Sequence, residues 1–89
     1  MQKISKVQFV FMMDAVRDKL AAYKTLRLGQ AIFNVFSQTY NIVEAQRGTN
    51  NDPFYNNQKL IPFMEAVLDD EALQYWYASN VYQSLQKKG

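Results

Sequence analysis

The chain is organised around residues 47–57, which read RGTNNDPFYNN and form the only long stretch without helical spacing. Gly48 permits a positive φ, and the Asp-Pro pair matches the first two positions of a type I turn, so the backbone is directed to turn repeatedly. Phe54 and Tyr55 are too apolar for a mobile linker. We therefore predict an ordered loop that both rings anchor, with its asparagine and aspartate side chains bonded to nearby backbone groups.

The composition indicates one small domain, residues 1–89, with an aromatic core. Of the 89 residues, 48% are hydrophobic and 15% are aromatic. Cysteine and histidine are absent, which excludes disulfides, thiolate zinc sites and cysteine nucleophiles, and removes the commonest general base. The net charge of +2 selects no class of partner. Because small secreted domains usually need disulfides, the absence of cysteine favours the cytoplasm.

Helical spacing predicts two helices before the loop. Ser5 and Gln8 form a capping-box pattern, so a helix should begin at Ser5. Its apolar face comprises Phe9, Met12, Met13, Val16, Leu20 and Tyr23. A second helix should run from Arg27 to about residues 44–46, with Leu28, Ile32, Val35, Phe36 and Val43 on its apolar face and Gly48 as its terminator. Gly29, in the first turn of this helix, suggests close approach of another backbone.

Two further helices follow the loop. Residues 59–68 predict a short helix with Pro62 in its first turn, where the missing N–H donor does no harm. The acidic run at 69–71 should cap a final helix from about 70 to 86. The apolar side of that helix comprises Leu73, Trp76, Tyr77, Val81, Tyr82 and Leu85. The expected fold is therefore all-α, a compact bundle of about four helices with one long ordered loop between helices 2 and 3.

Carboxylates are the only candidates for acid–base or metal chemistry. Asp14 and Asp18 lie one turn apart on a helix, but a calcium site needs four or more further oxygens, so we interpret the pair as a solvated face. The acidic run at 69–71 is interpreted as a cap. No nucleotide-binding glycine loop, zinc pattern or calcium loop is present. We expect no catalytic residue, no metal and no cofactor, and no stretch is apolar and long enough for a membrane span.

Three blocks of sequence carry a resemblance to a known group. They are Arg27-x-Gly29-Gln30-Ala31-x-x-Asn34, Arg47-Gly48-Thr49-x-x-Asp52-Pro53-Phe54-Tyr55 and Leu60-x-x-Phe63. In this middle half, the chain resembles a group of short uncharacterised proteins encoded in bacterial, prophage and phage genomes. Members commonly have an acidic residue after the tyrosine, where this chain has Asn56-Asn57. The resemblance implies no activity, but it implies that the polar residues of the blocks belong together.

The resemblance therefore defines a candidate binding constellation. Its members are Arg27, Gln30, Asn34, Arg47, Thr49 and Asp52, and the loop rings Phe54 and Tyr55 complete the candidate binding residues. One hypothesis is an internal network, with an arginine paired to Asp52 and the amides bonded to loop carbonyls. The other is an exposed recognition surface. We favour the internal network, because a long loop in a small protein needs its backbone groups satisfied.

The function expected is macromolecular interaction rather than catalysis. A small phage-type or mobile-element protein in the cytoplasm of a bacterial host would bind or inhibit a host or phage protein. Self-association through Tyr75, Trp76 and Tyr82 is a second expectation, since aromatic residues are enriched at interfaces. The alternative is a nucleic-acid accessory protein that uses the loop aromatics with Lys3, Lys6, Arg27, Arg47, Lys59, Lys87 and Lys88. A third hypothesis is an anionic ligand between Arg27 and Arg47.

Overall fold

A computed structural model describes residues 1–87, so the predicted role of Lys88 lies outside the described residues. Within that range the chain forms six α-helices and no strand: α1 (Lys6–Ala22), α2 (Leu28–Ser37), α3 (Asn41–Glu44), α4 (Leu60–Val67), α5 (Asp70–Tyr77) and α6 (Asn80–Lys87). A 3-10 turn, Asn57–Lys59, leads into α4. The all-α prediction is confirmed. The prediction of about four helices is too low, because the second and the fourth predicted helices are each divided in two.

The start of α1 is the predicted capping box. The Gln8 backbone N–H donates to Ser5 Oγ at 3.2 Å, and the Ser5 backbone N–H donates to Gln8 Oε1 at 2.9 Å. Two donors that have no acceptor within the helix are satisfied in this way. Phe9, Met12 and Val16 of this helix are buried, as their spacing predicts.

The second predicted helix breaks between Ser37 and Asn41. Ser37 Oγ donates to the Asn34 carbonyl at 3.3 Å, and the backbone N–H groups of Thr39 and Tyr40 both donate to the Phe36 carbonyl. Tyr40 then adopts an extended conformation. A serine that bonds a carbonyl of the preceding turn competes with helix propagation, and the Thr-Tyr pair that follows has low helix propensity. The turn α3 that follows buries both of its apolar side chains, Ile42 and Val43.

The predicted final helix breaks at Ser79, which ends α5 and caps α6. Its Oγ donates to the Trp76 carbonyl at 2.6 Å and accepts the Tyr82 backbone N–H at 3.2 Å. One hydroxyl therefore satisfies a carbonyl at the end of one helix and an N–H in the first turn of the next. The turn places the Tyr82 ring against the Trp76 ring, with the two ring centroids 5.8 Å apart.

The N-terminal residues are held against the junction of α4 and α5. The Ile4 backbone N–H donates to the Val67 carbonyl at 2.8 Å, and the Asp69 N–H donates to the Ile4 carbonyl at 2.9 Å. Asp69 Oδ1 accepts the Ala72 N–H at 2.9 Å, so the predicted cap of the last segment is confirmed. Pro62 lies in the first turn of α4, also as predicted.

The core lies where α1 packs against α2 and α5. Its largest fully buried side chains are Trp76, Phe9, Phe33, Phe36, Phe63, Ile4, Ile32 and Leu60. The Phe9 ring meets the Trp76 ring edge to face, with centroids 6.4 Å apart. Such pairs add about 0.5–1.5 kcal/mol to the stabilisation from burial. The buried Trp76 Nε1–H has no hydrogen-bond acceptor among residues 1–87. The loop at 47–57, which is the predicted site, follows α3 and packs against the first turn of α2.

Candidate functional site

Asp52 fixes the backbone of the loop on both sides of itself. Its Oδ2 accepts the Gly48 N–H at 2.7 Å, and its Oδ1 accepts the Phe54 N–H at 2.9 Å. Gly48 has φ of 75°, the left-handed conformation that was predicted for the end of the preceding helical segment. One carboxylate therefore closes the turns before and after it. This is the internal role that was predicted for Asp52, but its partners are backbone groups.

The predicted pairing of an arginine with Asp52 is wrong. Arg47 forms a two-pronged bond with Glu44 instead, with Nε to Oε1 at 2.7 Å and Nη2 to Oε2 at 3.0 Å. Glu44 lies three residues earlier, within reach on the same helical turn, and a carboxylate matches the fork of a guanidinium. The hydrogen bond from Arg47 lowers the pKa of Glu44. The same bond raises the pKa of Arg47, with smaller Coulombic contributions from Asp52 and Tyr55.

Thr49 joins a small network at the start of the loop. Its hydroxyl donates to the Gln46 carbonyl at 2.7 Å and accepts the Asn51 N–H at 3.1 Å. The Asn51 amide also donates to Gln46 Oε1 at 3.2 Å. Thr49 therefore has a structural partner on each side, whereas Gln46 and Asn51 were not among the predicted site residues.

The two aromatic residues of the loop have different environments. Phe54 is half-buried, and its ring meets the Phe33 ring edge to face at 6.4 Å. This ring anchors the loop, as predicted. Tyr55 is 80% exposed, and its ring contact is with the neighbouring Phe54 at 4.8 Å. The prediction that Tyr55 also anchors the loop is wrong, because the chain turns its side chain towards solvent.

The loop is docked onto the first turn of α2 through backbone contacts. A Cβ on Gly29 would collide with the Pro53 carbonyl oxygen, so the predicted close approach of another backbone is confirmed. The Gly29 N–H donates to Asn57 Oδ1 at 2.8 Å, and Arg27 Nη2 donates to the Phe54 carbonyl at 3.1 Å. Sequence reasoning missed Asn57. The sequence did contain a signal for such a residue: the first N–H groups of a helix need acceptors from outside it, and an asparagine side chain in the loop can supply one.

Gln30 and Asn34 are not joined to this network. Both residues lie half-buried on α2, and neither side chain makes a hydrogen bond within residues 1–87. The structure therefore brings Arg27, Arg47, Thr49, Asp52, Phe54 and Tyr55 together at the loop and leaves the two amides outside its hydrogen bonds.

Arg47 also contacts the core, since its guanidinium carbon lies 4.9 Å above the centre of the Phe33 ring.

The three aromatic residues predicted for self-association do not form one exposed surface. Trp76 is only 1% exposed and belongs to the core, so its predicted place at an interface is wrong. Tyr82 is half-buried against Trp76 and Tyr77. Tyr75 is partly exposed, and Lys6 Nζ lies 5.6 Å from the centre of its ring. Helical spacing placed Trp76 on the apolar side, and the depth of its burial came from tertiary packing against Phe9.

Comparison with protein-family models, with curated proteins and with solved structures gave no significant match for this chain. The resemblance described above therefore stays a prediction. Within residues 1–87, none of the helices combines the length and the apolar character that crossing a membrane requires.

Proposed function

We propose that this chain is a small, non-catalytic binding protein of phage or mobile-element type, which binds a host or phage protein in the cytoplasm of a bacterial cell. The observation that carries the proposal is the exposure of Tyr55 on a loop whose backbone is fixed. Asp52 holds the loop at two N–H groups, and Phe54, the residue next to Tyr55, is packed on Phe33.

A fixed loop makes an exposed ring effective in binding. Ordering a free loop on association opposes binding, and a loop that is already ordered avoids that cost. Tyrosine and arginine are the residue types enriched at the energetic centres of protein interfaces. Arg27 bonds the Phe54 carbonyl, and Tyr55 is close enough to Arg47 to make a small Coulombic contribution to the raised pKa of Arg47. We call Tyr55 with its two neighbouring arginines the Tyr55 surface. Because Glu44 neutralises Arg47, the positive charge of this surface comes from Arg27, and polar contacts with the Tyr55 ring carry the recognition.

The experiment that tests this proposal is a pull-down from nuclease-treated bacterial lysate with the immobilised chain. Tyr55→Ala is compared with the wild type and with Tyr23→Ala, which removes another well-exposed tyrosine, 60% exposed, from the end of α1. We expect a stoichiometric protein to be retained by the wild type and by Tyr23→Ala, and lost by Tyr55→Ala. Equal retention by all three chains would contradict the proposal. Melting temperatures of the variants show whether each one is folded.

A second candidate function is binding of single-stranded nucleic acid at the same surface. It is favoured by one observation, an exposed ring beside arginine, because bases stack on aromatic rings and phosphates attract cations. It is the weaker candidate, since Arg47 is already paired with Glu44. Fluorescence anisotropy with a labelled oligonucleotide at increasing salt tests it. Affinity that falls with salt and depends on Tyr55 supports this function, and absence of binding at low salt excludes it.

A further inference from the structure

A groove opens between α1 and the turn that joins α5 to α6. It has a volume of about 510 Å³, within the range of about 300–1,000 Å³ that is typical of small-molecule sites. Phe9, Val10, Met13 and Trp76 supply apolar walls, and no Asp or Glu is among the residues from 1–87 that line it. None of these lining residues belongs to the loop at 47–57, so the groove is distinct from the Tyr55 surface.

Two backbone donors at the groove lack an acceptor. Helix α6 begins at Asn80, and the first N–H groups of a helix find no carbonyl within it. Ser79 provides for two of them, because its hydroxyl accepts the Tyr82 N–H and its carbonyl accepts the Gln83 N–H, both at 3.2 Å. The N–H groups of Asn80 and Val81 have no acceptor within residues 1–87, and both residues line the groove.

A third donor without an acceptor belongs to a residue in the groove wall. Trp76 is only 1% exposed, and its Nε1–H has no hydrogen-bond acceptor within the described part of the chain. Most buried polar groups in folded proteins are bonded to protein, water or ligand, because a buried donor without an acceptor is destabilising. Ser79 Oγ donates to the Trp76 carbonyl at 2.6 Å, so the same turn holds the indole beside the start of α6.

The charges around the groove favour an anion over a cation. Arg17 lines the groove, but it forms an exposed salt bridge with Asp14, so it brings N–H donors to the groove and little net charge. The positive end of the α6 dipole lies at Asn80 and Val81 and supplies the favourable potential instead. Backbone N–H groups at a helix N-terminus are a common binding site for carboxylates and other anions.

We propose that the groove binds a small organic carboxylate with an apolar body. The N–H groups of Asn80 and Val81 and the indole Nε1–H of Trp76 donate to its two oxygens, and the body lies against Phe9 and Met13. An ionised carboxylate only accepts hydrogen bonds and offers about four acceptor positions, which suits three donors. The proposal goes beyond the binding of a host or phage protein and uses a different surface.

Nuclear magnetic resonance provides a direct test, because Trp76 is the only tryptophan among the 89 residues. Its indole N–H therefore gives a single signal in a proton–nitrogen correlation spectrum of the purified chain. Titration with phenylpropionate should shift this signal and the backbone signals of Asn80 and Val81 along one saturation curve. Phenylpropionamide has the same ring without the charge, and acetate has the charge without the ring, so each should bind at least about tenfold more weakly.

Two glutamate variants separate the groove from a general effect of charge. Ala78→Glu places a carboxylate at an exposed position in the groove, whereas Ala15→Glu adds the same charge at an exposed position of α1 that does not line it. At about 0.15 M salt, charges more than about 8 Å apart are largely screened. Ala78→Glu should therefore weaken binding at least about tenfold, and Ala15→Glu should change it less than about twofold. Ala78→Gln adds similar bulk without charge and should fall between them.

The dispersion of the backbone signals shows that each variant is folded. Absence of a saturable shift at millimolar phenylpropionate overturns the proposal, and so does equal affinity for phenylpropionate and phenylpropionamide. An indole signal that stays unmoved while the signals of Asn80 and Val81 shift overturns the assignment of Trp76 as a donor. None of these results bears on the pull-down, which depends on Tyr55.

Discussion

Replacement of Asp52 by alanine removes the group that closes the loop. The carboxylate accepts the N–H groups of Gly48 and Phe54, at 2.7 and 2.9 Å, and alanine offers no acceptor in its place. Both bonds join a charged acceptor to a backbone donor, the class of hydrogen bond worth about 1.5–3 kcal/mol each. Asp52 is half-buried, so water can reach part of the space that the carboxylate leaves.

The expected loss of stability follows from these two bonds. Discounting them for the water that can replace the carboxylate gives a loss of about 2 kcal/mol in the free energy of unfolding. A domain of 60–100 residues loses roughly 4–8 °C of melting temperature for each kcal/mol, so Asp52→Ala should melt about 10 °C below the wild type. The loop, with Phe54 on Phe33, should be the region that exchanges its amide hydrogens faster.

Thermal unfolding followed by far-UV circular dichroism measures this effect. Asp52→Asn retains one acceptor oxygen, so its melting temperature should lie between those of the wild type and Asp52→Ala. Asp18→Ala is the matched control: it removes an exposed aspartate from α1 and should change stability by less than about 0.5 kcal/mol. A melting temperature of Asp52→Ala within about 1 °C of the wild type would refute the structural role of Asp52 in the loop and would favour the hypothesis of an exposed recognition surface.

Three further substitutions test the local interactions of Gly29, Gly48 and Tyr77. In chemical denaturation, Gly29→Ala should lower the free energy of unfolding by roughly 3 kcal/mol, because the added Cβ meets the Pro53 backbone. Gly48 has open space around it but a φ of 75°, so Gly48→Ala should lower the free energy of unfolding by only about 1 kcal/mol. Equal losses in the two variants would contradict this difference. Tyr77 donates to Glu65 Oε2 at 2.9 Å, and this bond raises the pKa of Tyr77. The pKa of Tyr77 is raised in the folded state, so the bond stabilises the fold below pH 10 and this stabilisation is lost as pH rises through the folded pKa. As pH is raised, Tyr77→Phe should therefore lose less stability than the wild type. Equal losses of stability in the two chains would count against the bond.

The features that could be predicted from sequence are those that act over a few residues. The Ser5 capping box, the Asp69 cap, the left-handed Gly48 and the position of Pro62 each follow from backbone donors and dihedral angles within one turn of chain. Gly29 was predictable in kind, as a close approach, but its partner Pro53 was not. That partner depends on how the loop docks onto α2, which no local rule determines.

Helix boundaries inside apolar runs were not predictable from spacing alone. The four-residue steps from Tyr77 to Val81 and Leu85 continue across Ser79, because both α5 and α6 face the same core. A short turn that keeps the next helix on that core leaves the apolar spacing intact. The signal that was present is Ser79 itself, whose hydroxyl can bond a carbonyl behind it and an N–H ahead of it.

At the candidate site too, the partner of Asp52 could not be predicted from residue types alone. Charge alone pairs Asp52 with an arginine, but Glu44 lies on the helical turn next to Arg47 and offers a two-pronged bond. Asp52, by contrast, is surrounded by turns whose N–H groups lack other acceptors. The nearest available partner therefore determines both pairings, Arg47 with Glu44 and Asp52 with the N–H groups of Gly48 and Phe54. The surface at Tyr55 remains exposed.

Phe11 and Tyr55 are two of the exposed large apolar side chains, and folding does not explain the exposure of either ring. Each projects from backbone that is held in place, Phe11 by α1 and Tyr55 by the loop fixed at Asp52, so neither ring can be buried by a small local adjustment. An aromatic side chain presents roughly 150–250 Å², so covering Phe11, which is 73% exposed, would recover roughly 3–4 kcal/mol at about 25 cal/mol per Å².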